Sequence, residues 1–317
     1  MTRTPVAFFA YNRPDHANRA LEALHRSAGR EGFDFHFFAD GPKTEAQRPQ
    51  VEATRARLRE WAPRFGAQLH EQSANRGLAG SIASGVSALC DSHGRVVVLE
   101  DDLVASPDFL RFMAAALDRY EDEPRLMQVA GCTLQPPGAV DADAFLLPIT
   151  STWGWGTWAR AWRAFEAQPA DLARLRADAA WRSRFTVNGA CAYEAMLEAR
   201  LAGRNDSWGI LWWYAVSREA GLVAYPARSL VWNGGFDGSG VHCDTSDLFA
   251  EAGRLEVLGR RLPETIRFPA RVDAEPAQYR ALEAYFRALG AAAPEAAAAP
   301  LRARLGRLLR SVQHALR

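Results

Sequence analysis

The chain of 317 residues has few cysteines, almost no lysine and no long apolar run. Its four cysteines lie far apart and form no C-x-x-C pair, which excludes a zinc knuckle and a dithiol redox motif. No apolar stretch is long enough to cross a bilayer, and the first predicted strand begins too early to leave room for a signal peptide. We therefore expect a cytoplasmic protein. The formal net charge of +1 gives no overall attraction to nucleic acid, and we expect no such partner.

Two glycine-rich nucleotide motifs are also absent. The first predicted strand is not followed by G-x-G-x-x-G, and G-x-x-x-x-G-K-[ST] occurs nowhere in the chain. These absences argue against a Rossmann oxidoreductase and a P-loop NTPase. Any nucleotide site must therefore belong to another α/β architecture.

Apolar runs bounded by turn residues predict strands at residues 6–10, 33–39, 66–70 and 96–99, with helical segments between them. This alternation predicts an α/β fold with a mostly parallel central sheet flanked by helices. Open sheets of this kind bind ligands at the carboxyl ends of their strands. The polar residues that follow these four runs are therefore candidates for a binding site.

Three consecutive acids, Glu100, Asp101 and Asp102, end the apolar run at residues 96–99. A buried strand tolerates no charge along its length, so acids at its carboxyl end are expected to face a ligand crevice. Carboxylate oxygens in this position favour a hard divalent cation and a phosphorylated substrate. The structural alternative is an acidic connection to a helix that Ser106 caps and Pro107 begins.

Most of the tryptophans lie in the second half of the chain, between Trp153 and Trp232. Indole rings offer flat faces that stack on sugars or bases, so this density predicts a binding wall. A tryptophan-rich core is the alternative. The composition alone leaves both open.

The carboxyl-terminal residues form a separate region. An alanine- and proline-rich linker runs over residues 290–300, and leucines recur with helical spacing over residues 301–317, among five arginines. This pattern predicts a basic amphipathic helix that lies on an anionic membrane surface or docks on the body of the protein.

Several segments, taken in order, resemble the metal-dependent GT-A glycosyltransferases, especially bacterial family 2-like proteins and more distantly the N-acetylglucosaminyltransferase I group. The segments are AFFAYNRPDHANRALEAL, FFADGPK, NRGLAGSI, VVVLEDDLVASPDFL, STWGWGTWARAW, NDSWGILWWY and LVWNGGFDGSGVHC. They span about residues 5 to 245. The family's short acidic signature, often written D-x-D, corresponds here to Glu-Asp-Asp.

The resemblance implies a role for each matching residue. Asp102 and His242 would bind Mn²⁺ or Mg²⁺, and Asp206 would be the catalytic base of an inverting transfer. Asn205, the neighbour of Asp206, departs from the family's usual aromatic or acidic residue and leaves the exact base open; capping of the helix near Ser207 is the alternative role of Asp206. The nucleotide contacts would be Asn12, Arg13, Asp40, Arg76, Glu100 and Asp101. The sugar and acceptor contacts would be Trp153, Gly154, Trp155, Gly156, Trp158 and Trp208.

The resemblance also implies an activity and an organisation. We expect a GT-A catalytic domain at residues 1–270, a helical extension and linker at 271–300, and a tail helix at 301–317. The expected reaction moves a sugar from a nucleoside diphosphate sugar, with UDP as the favoured nucleotide, to a glycan or lipid-linked hydroxyl at the inner face of the membrane. A sugar-phosphate nucleotidyltransferase and a non-catalytic glycan- or nucleotide-binding protein are the alternatives.

Overall fold

The computed structural model describes residues 3–133, 140–235 and 256–292. In its first half, strands and helices alternate as the apolar runs predict. The elements are β1 (Thr4–Ala10), α1 (Pro14–His25), β2 (Phe33–Ala39), α2 (Arg48–Phe65), β3 (Gln68–Glu71), α3 (Gly77–His93) and β4 (Arg95–Glu100). Each predicted strand of this half is present: β2 has the predicted bounds, and the ends of β1, β3 and β4 differ from the prediction by at most two residues.

The second half has shorter elements. They are β5 (Leu103–Ala105), α4 (Phe109–Arg119), β6 (Leu126–Ala130), β7 (Ala144–Leu147), β8 (Trp155–Trp158), α5 (Ala159–Trp162), α6 (Leu172–Ala177), α7 (Ala179–Phe185), α8 (Tyr193–Leu201), α9 (Gly209–Arg218), β9 (Leu222–Pro226), β10 (Val231–Asn233) and α10 (Pro276–Ala292). Among the described residues, no helix combines the length and apolar character that a membrane span requires.

Within the described residues, the strands form an eight-stranded sheet in the order β3-β2-β1-β4-β8-β6-β9-β7 and a two-stranded sheet of β10 and β5. The pairs β3-β2, β2-β1, β1-β4 and β6-β9 are parallel. Strand β8 runs antiparallel to β4 and β6, and β7 runs antiparallel to β9. The predicted fold class, a mostly parallel sheet flanked by helices, is confirmed.

Apolar side chains cover both faces of the sheet. One core cluster joins the sheet to α3 and to α5–α10, and the other joins it to α1, α2 and α4. The central strands are therefore almost wholly buried: every residue of β1 is buried, and so is every residue of β4 after Arg95. This enclosure leaves the ends of the strands as the places where polar side chains can gather.

The acidic triplet does not lead directly into a helix. It turns instead into the short strand β5, and α4 starts only at Phe109, with Asp108 at the cap position. The alternative in which Ser106 caps the helix and Pro107 begins it is therefore wrong. The cause is the pairing of β5 with β10, because the Ser106 N–H donates to the Leu230 carbonyl and extends that pairing.

Helix α10 packs on the body of the protein. Leu282 and Phe286 are buried in the core, and Arg287 donates to the backbone carbonyl of Asn188 at 2.8 Å. The helix falls within residues 271–300, the expected helical extension. The expected tail helix at 301–317 and most of the linker lie outside the described residues.

Candidate functional site

The strand register aligns the carboxyl ends of four strands at one edge of the sheet. Ala10 pairs with Ala39, Ala39 pairs with Glu71, and Phe9 pairs with Glu100. The loops after β1, β2, β3 and β4 therefore leave the sheet side by side. Residues from distant parts of the sequence meet there in two hydrogen-bonded clusters.

The first cluster joins the loop after β1 to the acidic triplet. One terminal nitrogen of Arg13, Nη2, donates to Asp101 Oδ1 and, at 3.0 Å, to Asp102 Oδ2. The backbone N–H of Tyr11 donates to the other oxygen of Asp101 at 3.2 Å. Glu100 ends β4 and is also buried. The structure thus unites Arg13, Asp101 and Asp102, three of the predicted site residues.

The charges in this cluster are coupled. Burial acts to lower the pKa of Arg13, but the carboxylates of Asp101 and Asp102 outweigh it, and the pKa of Arg13 is raised. Burial raises the pKa of Asp101, Asp102 adds to this effect, and Arg13 opposes it. Arg13 therefore carries a firmly held positive charge that compensates the buried acids.

The two-stranded sheet brings a glycine pair against the same acids. Because Leu103 pairs with Asn233, the Gly234 N–H reaches the Asp102 carbonyl at 2.8 Å. A Cβ on Gly235 would lie 2.6 Å from Asp102 Oδ2, so a larger residue there would displace the Asp102 carboxylate. The segment LVWNGGFDGSGVHC thus reaches the acidic triplet at its glycines. His242, seven positions after Gly235, lies outside the described residues.

The second cluster surrounds Asp40 at the end of β2. Asp40 Oδ1 accepts from the backbone N–H groups of Gly41 and Arg76, both at 2.8 Å, and Oδ2 accepts from the Asn75 side chain at 3.0 Å. Asn75 also donates to the Gly41 carbonyl at 2.8 Å. Asp40 therefore fixes the loop that presents Arg76, whose side chain is exposed.

A groove of about 460 Å³ opens beside the second cluster, between β2, β3 and α3. Asp40 and Arg76 line it, and so do His36 and His70. His36 Nδ1 lies 3.1 Å from His70 Nε2, and the two rings are nearly parallel. Burial, together with His70 and His93, lowers the pKa of His36 to about 4. The His36 imidazole is therefore neutral at pH 7.

The tryptophans of the STWGWGTW segment and of α9 do not form an open platform. Trp153, Trp155, Trp158 and Trp208 are each at most 2% exposed. Strand β8 lies between β4 and β6, so helices cover both of its faces, and Trp155 stacks on Trp208 with ring centres 5.3 Å apart. The expected indole stacking surface is replaced by core packing.

The glycines of the same segment have a structural role. Gly154 has a φ of +63°, a left-handed conformation that favours glycine, and its carbonyl accepts from the Gly131 N–H at 2.6 Å. Gly156 lies within β8, where a Cβ would approach the Val96 carbonyl at 3.2 Å. Both glycines therefore allow close backbone packing. Their role as sugar contacts stays a prediction.

Two further predicted residues stand apart from these interactions. Asp206 is exposed in the connection between α8 and α9 and belongs to neither hydrogen-bonded cluster. Asn12 is half-buried between Tyr11 and Arg13. The roles given to them by the resemblance remain predictions.

Sequence reasoning missed several residues of the site. Tyr11 contributes its backbone to Asp101, and its hydroxyl donates to Gln47 at 2.7 Å and accepts from the Lys43 N–H at 2.9 Å. Asn75 and Gly235 were likewise unassigned. All three lie in segments that carried the resemblance, but their contacts depend on loops whose shape the sequence does not reveal.

The chemistry of the acids suits a divalent cation only in part. In the residues that the structure describes, no group of three His, Cys, Asp or Glu side chains is arranged to hold a metal ion. Asp101 is buried and bonded to Arg13 and Tyr11, whereas the Asp102 side chain is 12% exposed. Asp102 is thus the accessible oxygen donor of the acidic triplet.

No family model and no curated protein sequence matches this chain. Among solved structures, S. aureus TarS matches with a TM-score of 0.35 and 11% identity over 50% of this chain, which corresponds to only 28% of TarS. A mannosyltransferase from Pyrobaculum calidifontis, in complex with GDP-Man and Mn²⁺, matches with a TM-score of 0.38 and 16% identity over 69% of this chain and 73% of its own.

A cytidylyltransferase from Leptospira borgpetersenii also matches, with a TM-score of 0.31 and 13% identity over 51% of this chain and 63% of its own. Sugar transferases and a nucleotidyltransferase therefore both occur among the similar structures.

Proposed function

We propose that this chain is a GT-A-type glycosyltransferase that moves a sugar from a nucleoside diphosphate sugar to a hydroxyl group. The observation that carries the proposal is the meeting of Arg13, Asp101 and Asp102 with the Asp40–Arg76 cluster at one sheet edge. That edge is where open α/β sheets bind ligands. The resemblance of the same loops to GT-A proteins supports this assignment.

The two arginines suit the charge of the donor. A diphosphate is anionic, and guanidinium groups recognise it through charge-assisted hydrogen bonds. Arg13 would contact the diphosphate, and the exposed Arg76 would approach it from the loop that Asp40 fixes. The part of the site that binds the base and the ribose of the nucleotide would be formed by Asn12, Asp40, Glu100 and Asp101. Uracil is the proposed base.

Asp102 would hold a divalent cation, Mn²⁺ or Mg²⁺, together with His242. Bound there, the cation would neutralise charge on the departing nucleoside diphosphate. A carboxylate with an imidazole is a donor set that suits Mn²⁺. The partial exposure of Asp102 and the approach of the Gly234–Gly235 backbone to it support this part of the proposal.

Asp206 is our candidate for the catalytic base. It would accept the proton of the acceptor hydroxyl while that oxygen attacks the anomeric carbon and the bond from this carbon to the diphosphate breaks. One displacement of this kind inverts the anomeric configuration. The exposed position of Asp206 in the connection between α8 and α9 supports this role.

We further propose that residues 1–270 form the catalytic domain, that residues 271–300 form the helical extension and linker, and that residues 301–317 contact the inner face of the membrane. The acceptor would then be a glycan precursor or a lipid-linked sugar. The leucines and arginines of residues 301–317 support membrane contact. Removal of residues 301–317 should weaken partition onto anionic vesicles; unchanged partition would refute the membrane assignment.

The activity is tested by incubating the full chain with Mn²⁺, a panel of nucleotide sugars and simple glycoside acceptors. Wild type should release nucleoside diphosphate, and both Asp102→Ala and Asp206→Asn should lower kcat by at least about a hundredfold. Asp122→Asn is the matched control, because Asp122 is an exposed aspartate in the connection that leads from α4 into the amino end of β6. Nucleotide binding should survive in Asp206→Asn.

Other outcomes would identify the alternatives. Equal turnover in wild type, Asp102→Ala and Asp206→Asn would refute the mechanism. Formation of a nucleotide sugar from a sugar phosphate and a nucleoside triphosphate would indicate a nucleotidyltransferase. Tight nucleotide-sugar binding without turnover would indicate a non-catalytic binding protein.

A further inference from the structure

We propose that the Arg13 guanidinium occupies the place of a metal ion at the Asp101–Asp102 pair. A divalent cation would bind there tightly only after a nucleoside diphosphate has attracted the Arg13 side chain away from the two carboxylates. The inference rests on the proposed function for the identity of the nucleotide. The nucleoside diphosphate would bind to the site before the divalent cation.

The geometry places the arginine where a metal would have to bind. Arg13 Nη2 donates to both carboxylates, one oxygen of each. The Asp101 side chain is 4% exposed and the Asp102 side chain is 12% exposed, so little water screens the three charges. A cation on Asp102 would lie a few ångströms from the guanidinium.

The charges then set the competition. Two carboxylates and one guanidinium leave a net charge of −1 at the pair, half of what a divalent cation requires for neutrality. Like charges at such separations repel strongly when water is largely excluded. Arg13 therefore weakens divalent-cation binding as long as it remains on the two carboxylates.

Arg13 is able to leave without unfolding the site. Its backbone is at the cap position of α1, but its long side chain is 21% exposed and reaches the edge where a diphosphate would bind. Asp101 keeps the hydrogen bond from the Tyr11 N–H when the guanidinium departs. A diphosphate offers Arg13 several anionic oxygens in exchange for the two that it gives up.

The test is Mn²⁺ binding to the full chain, measured from the loss of the free Mn²⁺ signal in electron paramagnetic resonance. Without nucleotide, Arg13→Met should bind Mn²⁺ at least about tenfold more tightly than wild type. Arg19→Met, which removes an exposed arginine of the same helix, should change the affinity less than about twofold, since surface charges are screened. Asp102→Asn should abolish the binding in both backgrounds.

A nucleotide provides the second readout. UDP should tighten Mn²⁺ binding to wild type by a larger factor than it tightens binding to Arg13→Met, because the variant has no guanidinium left to remove. Arg13→Lys keeps the charge and should remain weak without UDP. Equal or weaker Mn²⁺ binding by Arg13→Met in the absence of nucleotide would overturn the inference, as would no Mn²⁺ binding by either protein.

Arg13→Met leaves Asp101 buried without its ion-pair partner, so its unfolding must be checked. If Arg13→Met does not fold, the double variant Arg13→Met/Asp101→Asn removes both buried charges. It should bind Mn²⁺ at least about tenfold more tightly than Asp101→Asn alone. The measurement involves no sugar. Tighter Mn²⁺ binding without transfer would therefore refute the proposed function alone, and transfer with unchanged Mn²⁺ affinity would refute this inference alone.

Discussion

The histidine pair in the groove should make the stability of the protein depend on pH. His36 lies on β2 and is 5% exposed, with its Nδ1 atom 3.1 Å from His70 Nε2 on β3. The ring of His93, at the end of α3, lies 5.8 Å away. Burial and these two rings lower the pKa of His36 to about 4, and Asp34 on β2 opposes them. A proton on His36 therefore disfavours the folded state.

The sign and size follow from the two pKa values. The folded-state pKa of about 4 is below the ordinary value of 6.5, so the unfolded chain binds the proton more readily. The stabilisation by neutral His36 is complete above about pH 6.5 and is lost as the pH falls towards 4. The whole effect is about 3 kcal/mol, and about 2 kcal/mol of it falls between pH 7 and pH 5.

Replacing His36 by phenylalanine removes this titration and keeps a ring beside Phe38 and His70. Urea unfolding followed by tryptophan fluorescence gives the free energy of unfolding at each pH. Wild type should lose about 2 kcal/mol more than His36→Phe between pH 7 and pH 5. Phe38→Leu disturbs the same groove without removing a titrating group, so its loss should match that of wild type. Equal losses in wild type and His36→Phe would refute the reasoning.

Two further substitutions test the core and the second cluster. Gln128→Ala should lower the free energy of unfolding, measured by urea titration, by about 2–4 kcal/mol. The reason is that Gln128 is fully buried and accepts a hydrogen bond from the Trp212 indole at 2.7 Å. As a control, substitution of the exposed Gln68 by alanine should change the free energy of unfolding by less than about 0.5 kcal/mol. Gly41→Ala should weaken UDP binding by at least about tenfold in calorimetry, because the new Cβ would lie 2.5 Å from backbone of the 74–76 loop. Gly32→Ala, with open space around it, should bind UDP as wild type does. Similar effects of a substitution and its control would contradict the assigned contact in either case.

The first half of the fold could be predicted because local signals are strong there. Strand β2 has four phenylalanines among its seven residues, and it begins and ends where the sequence indicates. The second half could not be predicted in the same way. Strand β8 contains a glycine among its four residues, and its place between β4 and β6 is fixed by partners far away in the chain. Neither feature produces the periodic pattern of apolar residues from which a strand is predicted.

The same limit explains the tryptophans and the histidines. The density of indoles fits a binding wall or a core equally well, and the central position of β8 decides for the core. His36 and His70 are 34 positions apart and meet only because Phe38 pairs with His70. Once that register is known, the two-residue period of a strand puts His36 on the same face as Phe38. Register is a tertiary property that no short segment contains.

The acidic triplet illustrates how far adjacent residues can differ in role. Glu100 ends β4 with its side chain buried, Asp101 is held by Arg13 and the Tyr11 backbone, and Asp102 turns towards solvent at the start of β5. The Asp101 and Asp102 carboxylates converge on one nitrogen of Arg13, whereas Glu100 belongs to the buried strand. The three consecutive acids therefore do not act as a single ligand cluster. Of the two acids that Arg13 joins, Asp102 is the more exposed, 12% against 4% for Asp101, and is therefore the carboxylate available to a cation.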